Sequence, residues 1–192
     1  MSTDSPIDLT HSAVLSIDVQ RGVVAVYVKD QRYLERVASV LARARQAGLP
    51  VIHVKVAFRP GVPEASPRNT FLSAVKNSVP HQRFFQGESG AIHPGIGPSD
   101  SDLVVTKTRV GGFTGTDLDL LLRAHGVETL VLLGIATSGA VLSTALQAAD
   151  LDYRVVVLSD CCADLDEGVH AHLLAHVLPK QASVISAQEF HL

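Results

Sequence analysis

Short apolar runs rich in β-branched residues alternate along the chain with stretches whose apolar positions recur every three to four residues. Runs at 13–18, 51–58, 102–107, 129–133, 153–159 and 182–186 read as six strands. Helical spacing fills most of the intervals: 31–47, where Leu34, Val37, Leu41 and Ala44 share a face, then 116–125, a small-residue stretch at 138–150, and 165–177. Gly48 stops the first of these helices, Pro50 prevents its continuation, and Gly126 closes the second. The first run is apolar enough to be buried on both faces, as in a parallel sheet covered by helices. With right-handed crossovers, this alternation predicts a three-layer α/β/α domain around a six-stranded, mostly parallel, doubly wound sheet of Rossmann-like kind.

The interval 59–101 breaks the pattern. It carries Pro60, Pro63, Pro67 and Pro80, one short helical stretch around 71–77, and the pair Phe84-Phe85. An irregular segment of that length caps a pocket or makes a subunit contact. No internal repeat or linker divides the chain, so the reading is one domain over 1–192 with its core at about 12–186.

Composition narrows the classes. At 192 residues, 46% hydrophobic and 18% charged, the chain can bury a core and is not disordered. Its net charge of -3, with no basic block, excludes electrostatic binding of nucleic acid. The longest apolar stretch, 129–136, falls short of a membrane span, and the N-terminal MSTDSPIDLT lacks the pattern of a signal peptide. Cys161 and Cys162 are adjacent and cannot build a disulfide framework. A soluble protein of the reducing cytoplasm is expected.

Candidate chemistry lies at the strand ends, because doubly wound sheets bind ligands at the carboxyl edge. Asp18 ends the first strand, Lys107 the third, and the turn from Gly134 to Val141 leaves the fourth. Asp18 and Lys107 can form a charge pair in a cleft; equally, Asp18 can cap a turn while Lys107 is solvated. Thr137 and Ser138 suit caps for the helix that follows. Cys161 and Cys162 suit small buried residues, with Cys161 the nearer to a strand end. His170, His172 and His176 share the last long helix without the glutamate of an HExxH site, and read as a solvated face.

Several segments together resemble one family. They are Leu15-Ser16-Ile17-Asp18-Val19-Gln20, Ile92-His93-Pro94, Val104-Val105-Thr106-Lys107-Thr108-Arg109, Phe113-Thr114-Gly115-Thr116-Asp117-Leu118 and, after Gly126-Val127, Thr129 through Thr137. In combination the chain resembles the isochorismatase-like hydrolases, or cysteine hydrolase superfamily, which includes nicotinamidases and N-carbamoylsarcosine amidases. That family uses an Asp, a Lys and a Cys. The resemblance places the first two at Asp18 and Lys107, and the cysteine's position holds Ala140 instead. A methyl group has no lone pair to attack a carbonyl, so acyl transfer through position 140 is excluded.

Isochorismatases proper are similar in lacking the cysteine, their Asp protonating a vinyl ether. The resemblance therefore implies a small-molecule hydrolase with Asp18 as general acid. The alternative is a catalytically silent ligand-binding or scaffolding homologue. The resemblance also implies a non-proline cis peptide at Ile135-Ala136, with the amides of Ala136 and Ala140 as donors to a ligand carbonyl. Phe113 is expected as a pocket wall, and Arg109, by its fork geometry, as an anion clamp. Nicotinamidases hold a metal through an Asp and two His; only His53 echoes that set, so no metal and no cofactor are expected. His93 is expected to support its loop. The partners implied are a small-molecule substrate and further copies of the chain, as dimers or larger assemblies, with 59–101 a candidate contact region.

Overall fold

A computed structural model describes residues 10–191; the stretch 1–9 that was read for a leader lies outside them. The six strands are β1 (Ser12–Ile17), β2 (Val51–Val56), β3 (Leu103–Lys107), β4 (Thr129–Ile135), β5 (Arg154–Ala163) and β6 (Ser183–Ile185). They form one sheet in the order β3-β2-β1-β4-β5-β6, every pair parallel. β1 is buried along its whole length, as is β4. Alternate residues feed opposite layers. Ala13, Leu15 and Ile17 pack with Leu118, Leu122 and Ala145 on one face, while Val14, Val131 and Leu133 pack with Val37, Leu41 and Ala44 on the other. Burial on both faces is why these strands read as continuous apolar runs.

Seven α-helices connect them: α1 (Arg21–Tyr27), α2 (Tyr33–Gln46), α3 (Thr70–Lys76), α4 (Val79–Phe84), α5 (Leu118–Ala124), α6 (Leu142–Asp150) and α7 (Glu167–His172). Gly48, at φ 76°, ends α2 as expected. The expected helix at 71–77 is α3, capped by the Asn69 side chain on the Leu72 N–H. Two helices escape the periodicity reading. In α1 the sequence RGVVAVY is β-branched enough to pass for a strand, and α4 is a single short helix with Pro80 in its first turn.

β5 is longer than its apolar run suggests. A register shift sets Gly134 opposite Cys162 where Leu132 faces Val157, so the strand continues through Cys161 and Cys162 rather than ending before them. The stretch 138–150 is likewise not one helix: residues 137–141 form a wide, π-type turn that feeds α6.

The sheet order reverses direction between β1 and β4, and the chain paths from their carboxyl ends part there, leaving a crevice. Gly134 of β4 pairs with Ile17 of β1 and has φ 137°; a Cβ at this position would collide with the Ile17 carbonyl oxygen. Both the conformation and the approach require glycine. Gly134→Ala is expected to cost about 3 kcal/mol or more, read as a lowered midpoint in urea unfolding or as loss of soluble protein.

Candidate active site

The crevice opens into a cavity of about 420 Å³ whose wall includes Asp18, Lys107, Arg109, Ile135, Ala136 and Ala140. Asp18 follows β1 directly with φ 53°, a left-handed conformation that aspartate tolerates better than most residues. Lys107 ends β3. Successive strands lie about 4.8 Å apart, so roughly 10 Å separates β1 from β3, and the long lysine side chain crosses the end of β2 to close the gap. Its Nζ lies 2.8 Å from Asp18 Oδ2.

Both residues are buried, at 7% and 2% exposure. The Lys107 ammonium donates to the carbonyls of Arg109 (3.2 Å) and Val110 (3.0 Å) as well as to Asp18, which occupies all three of its N–H groups. Asp18 is less well served. Its Oδ1 is buried and accepts no hydrogen bond, the nearby Val56 N–H being committed to the Gln20 side chain. Burial pushes the Asp18 carboxyl above the usual carboxylate range, and the attraction of Lys107 only partly offsets it. Of the two readings left open for these residues, the charge pair in a cleft is the one the geometry shows.

Gln20, whose backbone N–H donates to the Asp18 carbonyl (2.8 Å), was not singled out from the sequence, although an amide beyond an apolar strand was a visible signal. It is fully buried. Its Nε2 donates to Val56 O (3.0 Å) and Gly90 O (2.8 Å), and its Oε1 accepts from Val56 N–H (2.9 Å). One side chain thus ties β1 to β2 and to the far end of the long irregular segment.

The wall opposite Asp18 is the turn after β4. The peptide between Ile135 and Ala136 is cis. Thr137 and Ser138 do not cap a helix with their side chains, contrary to expectation. Thr137 Oγ1 instead meets His170 Nδ1 at 2.8 Å, and the Ser138 N–H donates to Asp164 Oδ2 at 2.7 Å. Behind the turn, Thr144 Oγ1 donates to Ala140 O (2.6 Å) and accepts from Gly112 N–H (3.0 Å). His170 is therefore a partner of the turn rather than part of a solvated face, while His172 and His176 are exposed, with their rings tilted against each other at 5.0 Å between centroids.

Other expectations resolve plainly. Arg109 lines the cavity; its Nη1 donates to the Thr108 carbonyl, and it makes no salt bridge among the described residues. Phe113 does not line the cavity. Gln147 and Thr144 hold its loop against α6, and its ring stacks on Tyr153 with centroids 6.0 Å apart. Neither cysteine lines the cavity, and burial pushes the Cys161 thiol up to about 12 and Cys162 also upward.

The histidines are equally plain. His53 is a packed strand histidine, its Nε2 2.9 Å from Asp102 Oδ2 near the start of β3, away from the cavity. His93 supports its loop, its Nδ1 accepting from the Gly95 N–H. Among the described residues, no three His, Cys, Asp or Glu side chains are placed to hold a metal ion, and no helix is long and apolar enough to cross a membrane. Wall residues that the sequence did not reveal are Tyr27 of α1, Phe71 and Leu72 of α3, Phe85, and Asp164-Leu165.

Comparison with known proteins bears on this geometry. The family model for the isochorismatase domain matches residues 12–189. The chain is 31% identical over 191 residues to YwoC, an isochorismatase family protein of Bacillus subtilis, covering 96% of this chain and 94% of that one. It is 27% identical over 157 residues to a maleamate amidohydrolase of Pseudomonas putida, covering 81% and 71%. Among solved structures, an isochorismatase family protein of Burkholderia thailandensis superposes with a TM-score of 0.83 at 33% identity over 93% of each chain.

Gln20→Leu keeps the volume but orphans three buried backbone groups. It is expected to cost about 3 kcal/mol, measured by chemical denaturation.

Proposed function

The chain belongs to the isochorismatase family, and we propose that it is a small-molecule hydrolase that works without a thiol, by acid catalysis from Asp18. The observation that carries this reading is a carboxyl on the cavity wall that burial holds toward its protonated form. Oδ2 faces the Lys107 ammonium while Oδ1 has no hydrogen-bond partner, and burial outweighs both the ammonium and the Val56 amide in setting the carboxyl's affinity for a proton. A protonated acid on the wall of a cavity is suited to deliver its proton.

Ala140 stands on the same wall, where relatives of the cysteine hydrolase type place their nucleophile, and no thiol lines the cavity. The substrate class that fits is an acid-labile ether of the vinyl type. Asp18 transfers its proton to the terminal vinyl carbon, and water adds to the resulting oxocarbenium ion. The hemiketal then collapses to a ketone and an alcohol, and a proton returns to Asp18. Lys107, saturated with acceptors, positions the carboxyl and does not touch the substrate. Arg109 would clamp a carboxylate, and the turn at Ala136 and Ala140 would receive a carbonyl.

Turnover of isochorismate by the wild type and by Asp18→Asn tests the reading. Activity is expected in the wild type and a loss of at least about 100-fold in the variant. Because the active form is the protonated acid, the rate should be full at low pH and fall as pH rises through the raised pKa of Asp18. Equal background in both proteins would overturn the reading. Ala140 favours a second one, ligand binding without turnover, and Ala140→Cys separates the two. Beside the Lys107 ammonium the introduced thiol should ionise readily and react with iodoacetamide faster than a free cysteine; an ordinary, slow thiol would mean that the catalytic surroundings are gone.

A further inference from the structure

We propose that the Asp18 cavity continues into an apolar side groove that holds the hydrophobic arm of the substrate, so that the ligand is a small carboxylic acid carrying an alkyl or aryl group. The inference takes the position of the reacting head from the acid-catalysis reading and adds the rest of the molecule. A second cavity of about 270 Å³ shares Val23, Tyr27, Phe71, Phe85 and Leu165 with the first. It then runs on between Val75 and Phe84, beneath α3 and α4. The two spaces thus share five wall residues and lie side by side.

Three side chains at this opening are exposed in a way that single surface residues are not expected to be together: Phe71 at 53%, Leu165 at 48% and Val26 at 42%. The walls where the two spaces join are fixed. Phe85 meets Phe58, another residue of the cavity wall, edge to face with centroids 5.6 Å apart. Among the described residues, the polar side chains on the groove wall are Tyr27 and His81, so a polar arm would lose its hydration there with little in return.

The head of the ligand is set by charge. Lys107 has no N–H left to give, which leaves Arg109 as the cation on the wall with donors to spare. A carboxylate at Arg109 and an apolar group along Tyr27 and Phe71 describe one ligand with two ends. The five wall residues shared with the cavity that holds Asp18 assign the groove to that ligand rather than to another protein.

The test is calorimetric titration with straight-chain carboxylates from acetate to octanoate. Affinity is expected to rise about fourfold for each methylene buried and to level off once the groove is full. Phe71→Ser should flatten the rise to less than about twofold per methylene, while Leu120→Ser, exposed on α5 and absent from either wall, should keep it. A wild-type series with no dependence on length overturns the proposal, and so does a rise that Phe71→Ser leaves intact. If that flat series comes from a wild type that sediments as a dimer and the Phe71→Ser protein is a monomer, the groove belongs to a second copy of the chain and the proposal fails. Repeating the series with Asp18→Asn keeps the two readings apart. The dependence on length should survive there whether or not the wild type turns over isochorismate, so failed chemistry with intact arm binding refutes only the former.

Discussion

Burying a carboxyl beside an ammonium is the constraint around which the carboxyl edge of this sheet is arranged. Removing two charges from water costs several kcal/mol for each ion, and their attraction repays this only where the remaining donors and acceptors are satisfied. The lysine meets that condition, with two backbone carbonyls and Asp18 around it. The aspartate does not, since its buried Oδ1 has no hydrogen-bond partner. The cost of burial therefore falls mainly on the carboxyl, whose affinity for a proton is raised above the usual carboxylate range. Strand spacing adds a second demand: a side chain that starts on β3 and must reach β1 across β2 has to be long.

How far the sequence disclosed this depended on whether a residue's role was local. The six strands were legible because burial on both faces leaves long apolar runs, and α2 because Gly48 and Pro50 mark its end. That Asp18, Lys107, Arg109 and Ala140 share one cavity wall was legible because strand ends and the turn after β4 meet at the carboxyl edge of a doubly wound sheet. Phe113 was misjudged because its direction is decided by Thr144 and Gln147, more than thirty residues away. Thr137 was misjudged for the same reason: a hydroxyl in cap position turned instead to His170 on a distant helix. The extra length of β5 arises from a mismatch with its neighbour, and no property of either strand alone records a mismatch.

The cavity divides into two kinds of wall. The polar part is made by strand ends and the turn after β4, where backbone geometry fixes each group. The apolar part comes largely from α1, α3 and the residues around Phe85, elements that the periodicity reading found weakly or missed. Short helices with β-branched or proline-containing sequences carry little local signal, because packing against the sheet, not propensity, holds them in place.

Gln20 gives this division a wider meaning. By binding Val56 at one end and Gly90 at the other, a single amide side chain pins both ends of the intervening stretch to the end of β1. What lies between is then a cassette. Doubling the length of such a loop costs only about 0.6 kcal/mol in closure entropy, and the pinned ends keep any change from reaching Asp18. The scaffold can thus exchange one stretch of cavity wall for another while the Asp18–Lys107 pair stays in place, a modular arrangement in which the apolar wall varies separately from the buried charges.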